Sequence, residues 1–256
     1  MEDRHLLYRV HEGVGYITIN REQQRNAITA EAVALFHEYL DAAEKDENVR
    51  AVLITGAGDK AFCTGAQLGA GVAAGGGDIF SIYADLLNKI ASFPKPTVAR
   101  IKGYCLAGGM GFMLACDIVI ASDDSKFGTP EVNVGLWPMM IGALIFRNVL
   151  QKKAMEMILL GERLTAAEAL SMGLITRVVP AATLDEEVGK VITTLVGKSP
   201  IGMKIGKQAF YEMANLPLRD ALRYLSGKLK EVVGTEDAKE GITAFMEKRQ
   251  PRFIGK

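Results

Sequence analysis

The sequence predicts an α/β fold, a core of ββα-like units followed by an all-helical tail. Two observations predict it. Short apolar runs, several of them leading into glycine turns, alternate with segments of helical spacing as far as Leu174–Val179. After Pro180 the strand-like runs stop, and four consecutive segments carry helical spacing. We therefore divide the chain into a core over 1–195 and a helical C-terminal region over 196–256.

From the N-terminus, Tyr8–Val10 and Tyr16–Asn20 read as two strands around the turn His11-Glu12-Gly13. Thr29 caps a helix reaching about Lys45, with Ala32, Leu35, Phe36, Leu40 and Ala43 on one face. Ala51–Thr55 is continuously apolar, as a strand buried on both faces must be. Gly56–Asp78 reads as loop, with five glycines between Gly69 and Gly77. Ile79–Phe93 is an amphipathic helix stopped by Pro94 and Pro96, and Thr97–Ile101 is a strand. Gly103–Cys116 reads as a strand end, a glycine turn and a small-residue helix. Asp117–Ala121 is a strand and Lys126–Val134 an extended segment. Thr165 to Glu168 form a capping box opening a helix that Gly173 ends. The tail helices are expected over Leu184–Val196, Ser199–Ala214, Leu216–Val233 and Glu236–Lys248. Ser199-Pro200 and Thr235-Glu236-Asp237 supply start signals for the second and the fourth.

Composition narrows the function. The 256 residues are 49% hydrophobic and 23% charged, enough to bury roughly three quarters of the unfolded surface. Lys+Arg and Asp+Glu both number 30, so no basic excess points to nucleic acid or an anionic membrane. No apolar run reaches the roughly 20 residues of a membrane helix, and Met1–His5 lacks the apolar stretch of a secretory signal. Cys63, Cys105 and Cys116 have neither disulfide-framework nor metal spacing. A cytoplasmic protein without a resident metal is expected.

Two short motifs are decoys. Gly56-Ala-Gly58-Asp-Lys-Ala61 matches a dinucleotide fingerprint in letters. Phe62–Gln67 lacks helical periodicity, however, so no helix N-terminus faces a pyrophosphate. Gly197-Lys198-Ser199 is a phosphate-loop fragment without its first glycine or a preceding strand. Cys105 at a strand end reads as a small buried hydrophobe, since all three histidines lie in the first forty residues.

Two glycine segments are more informative. Phe62-Cys-Thr-Gly65-Ala66-Gln67 and Gly103-Tyr-Cys-Leu-Ala107-Gly108-Gly109-Met110-Gly111 can present backbone amides to an oxyanion, or pack a helix tightly on a strand. About twenty residues on, Glu131 stands in Phe127-Gly-Thr-Pro130-Glu131, ahead of the apolar Leu136-Trp137-Pro138-Met139-Met140-Ile141. Such surroundings raise a carboxylate's pKa and suit it to proton transfer.

These pieces in this order resemble the crotonase superfamily, also called the enoyl-CoA hydratase/isomerase family. The resemblance runs from Asn20-Arg21 and Arg25-Asn26-Ala27 through the glycine segments and Glu131. It continues through Leu160-Gly-Glu-Arg163 and Ala169–Leu174 to Phe245-Met-Glu-Lys-Arg249. It implies a crotonase-like spiral of ββα units, a helical C-terminal trimerisation region, a homotrimer or dimer of trimers, and an acyl-CoA substrate. Coenzyme A enters as part of that substrate, and no separate cofactor is implied. By the same resemblance the Ala66 and Gly108 amides form the oxyanion hole and Glu131 carries the proton. Arg25, Asn26, Ala27, Thr64, Gly65, Gln67, Leu68, Gly109, Gly111, Pro130, Trp137 and Met139 bind substrate, with Lys248 meeting CoA phosphates.

One departure matters. The two-carboxylate hydratases of the family carry a second glutamate where this chain has Gly111. One carboxylate suffices to move a proton between two carbons, which favours double-bond isomerisation. Hydration of an enoyl-CoA or a cyclic dienoyl-CoA stays open, as does a catalytically silent acyl-CoA-binding scaffold. Gly111 with Met110, Trp137, Met139 and Met140 suggests a roomy, deformable apolar pocket.

Overall fold

The chain builds two sheets by alternation. In the computed structural model, which describes residues 4–67 and 79–256, each unit between the opening hairpin and β9 gives its first strand to a larger sheet and its second to a smaller one, and then turns into a helix. The hairpin β1 (Leu6–His11) and β2 (Val14–Ile19) leads into α1 (Ala30–Lys45). β3 (Ala51–Gly56) and β4 (Ala61–Cys63) precede α2 (Ile79–Ala91). β5 (Thr97–Ile101) and β6 (Tyr104–Leu106) precede α3 (Gly108–Ala115). β7 (Ile118–Ser122) and β8 (Lys126–Gly128) precede α4 (Met139–Asn148) and α5 (Gln151–Leu160). β9 (Leu164–Thr165), α6 (Ala166–Ser171) and β10 (Arg177–Val179) close the core. The larger sheet runs β1-β2-β3-β5-β7-β10, parallel except for the hairpin; the smaller runs β4-β6-β8-β9, antiparallel only at β8–β9. This is the spiral of ββα units.

Packing explains the strand sequences. Val52 and Ile54 of β3 join the main core with Phe36, Phe62, Phe112 and Phe127. Ala51 and Leu53 face the other way, onto Leu184, Val188 and Ile192 of α7 (Leu184–Val196). β3 is thus covered on both sides, which demands its unbroken apolar run. Beyond it lie three tail helices: α8 (Pro200–Met213), α9 (Leu218–Gly234) and α10 (Glu236–Met246). Ser199 and Thr235 accept from the Gly202 and Ala238 amides at the starts of α8 and α10, caps worth about 1 kcal/mol each. The buried Asp237 carboxylate receives the Ile254 amide at 2.8 Å, and Arg50 donates to the Phe253 carbonyl at 2.9 Å, tying the last residues to the body.

Several expectations need correction. Gly56–Asp78 is not all loop, because Ala61–Cys63 pairs with Tyr104 and Cys105 as β4. Lys126–Val134 is extended only to Gly128; Pro130 then opens a 3-10 turn, Pro130–Val134, its fixed φ suiting the first helical position. The last strand is Arg177–Val179, shorter than Leu174–Val179. Helices α4 and α5 carry no counterpart in the sequence reading. The expected glycine loop over Gly69–Asp78, and Leu68 with it, lies outside the described residues.

Candidate active site

Strand register brings the two glycine segments together. β4 and β6 run parallel with Cys63 opposite Cys105, so Thr64-Gly65-Ala66 and Ala107-Gly108 leave the sheet side by side. Gly65 has φ +94, and a Cβ there would stand 2.7 Å from Ala107 Cβ and 3.3 Å from the Gly108 nitrogen. Only glycine allows this approach. Ala107 is held at φ 49 and ψ −131, outside the usual alanine regions and costing about 1–3 kcal/mol. That strained turn starts α3 with Gly108. Neither the Ala66 nor the Gly108 amide donates to a backbone carbonyl among the described residues. Two adjacent unsatisfied N–H groups, one at a helix N-terminus, suit a developing oxyanion.

Arg25–Ala27 reach the same edge. Thr64 Oγ1 donates to the Arg25 carbonyl at 3.2 Å, and Ile28 bridges Ala66 in parallel register. Asn26 is fully buried and its side chain is committed. Its Oδ1 accepts from the Arg21 amide, and its Nδ2 donates to the Ala57 and Ala61 carbonyls at 3.0 and 2.7 Å. What Asn26 offers a ligand is its backbone. Arg21, outside the candidate binding set, donates to the Ala27 carbonyl at 2.6 Å and to Gln67 Oε1 at 2.9 Å, stitching the two segments together.

Glu131 enters from the neighbouring strand. β6 pairs with β8 so that Leu106 opposes Gly128, and the Ala107 amide donates to the Gly128 carbonyl at 2.9 Å. Three residues on, Glu131 stands in the turn that Pro130 begins. Burial pushes its pKa above the ordinary carboxylate value, partly offset by a backbone hydrogen bond. Its Oε2 and the Thr129 hydroxyl are buried with no partner among the described residues. A buried polar atom without a partner is rare, and two in one turn mark where something polar is to be received.

The remaining candidates are scattered. Gly109 packs on Cys63, its Cβ position 2.8 Å from Cys63 Cβ. The space beside Gly111 is filled rather than roomy. A Cβ there would strike the Tyr83 hydroxyl and stand 2.8 Å from Ile141 Cγ2 and 3.1 Å from Leu87 Cδ2. Met110 is buried in the core, whereas Trp137 and Met139 are exposed at the start of α4. Lys248 lies just past the end of α10 with φ 54, exposed, its ammonium making no hydrogen bond or ion pair among the described residues. Burial raises the Cys105 thiol pKa well above its ordinary value, so it stays a protonated core residue. Tyr83 is the residue the sequence concealed. At helical spacing on α2 it reads as core, and its ring does pack edge-on against Phe112, centroids 5.6 Å apart. Its hydroxyl nevertheless donates to the Gly108 carbonyl at 2.5 Å.

The dinucleotide fingerprint fails structurally as well, since Ala61 opens a strand and not a helix. No helix among the described residues is long and apolar enough to cross a membrane.

Known proteins share this sequence pattern and this fold. The family described as Enoyl-CoA hydratase/isomerase matches residues 9–256. A Mycobacterium bovis protein named "Probable enoyl-CoA hydratase echA8" is 35% identical over 242 residues, 94% of each chain. The crystal structure of an enoyl-CoA hydratase from Bacillus anthracis superposes with TM-score 0.93 at 29% identity, covering 98% of this chain and 100% of that one. Human enoyl coenzyme A hydratase domain-containing protein 3 superposes with TM-score 0.94 at 30% identity, over the same shares.

Proposed function

Because the chain belongs to the enoyl-CoA hydratase/isomerase family, we propose that it acts on an acyl-CoA thioester through an enolate, with Glu131 as its single proton-carrying carboxylate. The observation that carries this is the unpartnered, buried Glu131 Oε2 beside the paired Gly65-Ala66 and Ala107-Gly108 turns. Glu131 takes a proton from the α-carbon. The electron pair of that C–H bond moves onto the thioester oxygen, which the Ala66 and Gly108 amides receive. One such donor is worth about 10²–10³ in rate. Return of the proton to the γ-carbon shifts the double bond, and Glu131 alone suffices for this. Hydration is the second reading, favoured by the names of the relatives.

Coenzyme A lies along the backbone of Arg25–Ala27 and Thr64–Gln67, with Gly109, Gly111, Pro130, Trp137 and Met139 toward the acyl group and Lys248 toward the phosphates. The setting is the cytoplasm, in keeping with three unpaired cysteines. Incubation with 2-enoyl-, 3-enoyl- and dienoyl-CoA esters in heavy water, then mass spectrometry, tests the reading. Deuterium incorporated with a moved double bond means isomerisation, and a gain of one water means hydration. An unchanged panel leaves a silent binder and refutes the proposal.

A further inference from the structure

Tyr83 does more than fill the core. Its ring is buried, yet its hydroxyl is directed at the turn that carries the Gly108 amide, not at another core polar group. The same hydroxyl lies 3.3 Å from the Cβ position of Gly108 and blocks the one at Gly111. The segment leading to Glu131 is tied to this same turn, the Ala107 amide donating to the Gly128 carbonyl three residues before the carboxylate. The phenol and the segment carrying the carboxylate are thus both bonded to residues 107 and 108, and Glu131 is near enough to act on the phenol electrostatically.

We propose that Tyr83 is a catalytic residue that, together with Glu131, holds the water added to the double bond. This deepens the acyl-CoA reading above and rests on it. The hydrogen-bond arithmetic supports it. A phenol has one proton and lone pairs to accept with, and the Tyr83 proton is committed to the Gly108 carbonyl. Its oxygen is therefore left as an acceptor. Glu131 Oε2 is the second acceptor, without a donor in the described structure. A water needs two acceptors for its two hydrogens, and then its lone pair is free to attack. Burial raises the phenol pKa well above its ordinary value, reinforced by the neighbouring Cys63, Cys105 and Glu131, so it holds water as a neutral group and leaves the proton to Glu131.

The step balances without any further reactant. The water oxygen bonds to the β-carbon, one of its O–H bonds breaks, and that proton passes to Glu131. The π pair moves onto the thioester oxygen as an enolate. Glu131 then returns the proton to the α-carbon, and a 3-hydroxyacyl thioester results. The missing carboxylate at Gly111 is thereby replaced by a phenol from α2, an element the sequence places nearly thirty residues earlier.

Tyr83→Phe tests this, because it keeps the ring against Phe112 and removes only the oxygen. Two rates are compared in the parent and the variant: water addition to a 2-enoyl-CoA, and deuterium exchange at the α-carbon of a saturated acyl-CoA. The expected result is a loss on the order of 10²-fold in water addition, with the exchange, which uses no added water, keeping most of its rate. Unchanged water addition overturns the proposal. So does an equal fall in both rates, which would make Tyr83 structural, or a parent chain that exchanges but never adds water. A parent chain that does neither refutes the acyl-CoA reading itself, a result distinct from the other three.

Discussion

At the scale of the residue, Glu131 is a group the fold tolerates at a cost. Burial disfavours its charged form and raises its pKa above the ordinary 4.5. The folded chain therefore holds this proton more tightly than the unfolded chain does, and the linkage runs against stability as pH rises. The penalty is absent below the ordinary pKa and complete above the raised one. Glu131→Gln is expected to melt a few degrees higher than the parent at pH 8, with the difference closing by pH 4. Equal melting temperatures at both pH values would contradict a desolvated carboxylate. Glu131 and the two glycine segments stood out in the sequence as candidates, because a proline-led acid in apolar company and glycine turns after strands each have a chemical signature, whereas Ala66 and Gly108 were singled out by the family resemblance alone. Asn26 was legible only as a member of a motif. That its amide is spent on Ala57 and Ala61 depends on where the loop 57–61 folds, and no local pattern encodes that. Tyr83 was invisible, since a tyrosine on an amphipathic face carries no mark of where its hydroxyl points.

At the scale of the element, what could be read was set by length and by how many faces are covered. α1, α2, β3 and β5 announced themselves by period and caps. β4 and β8 have three residues each, too few for alternation to register. α4 begins Met-Met-Ile-Gly-Ala-Leu-Ile-Phe, apolar on every face, so its period is hidden and it passes for the wall of a pocket. Its Phe146, with Leu159 of α5, is exposed, as are Leu218, Leu222 and Leu229 on α9 and Phe245 on α10. Phe245 is 84% exposed and Leu218 76%, which is costly if the chain stands alone. We expect α8–α10 to cover these faces with copies of the same chain, as a homotrimer or a dimer of trimers. Sedimentation velocity at micromolar concentration should give three or six times the chain mass. A monomer unchanged across that range would contradict the assignment of residues 196–256 to assembly.

At the scale of the whole molecule, the order of elements could be read along the chain but their sharing between two sheets could not. Apolar period specifies a strand and not its partner, and only the register of β4, β6 and β8 brings the segments carrying residues 65–66, 107–108 and 131 side by side. Three separate units each contribute one part there: an amide, a second amide on a strained turn, and an acid. On the proposed mechanism Glu131 moves the proton between substrate and enolate while backbone holds the coenzyme. The measurement that tests it most directly is α-proton exchange of an acyl-CoA in heavy water by the parent chain and by Glu131→Gln, with calorimetric affinity for the same thioester. Exchange is expected to fall by about 10²–10⁴-fold with affinity nearly unchanged. Exchange by Glu131→Gln at close to the parent rate would contradict it.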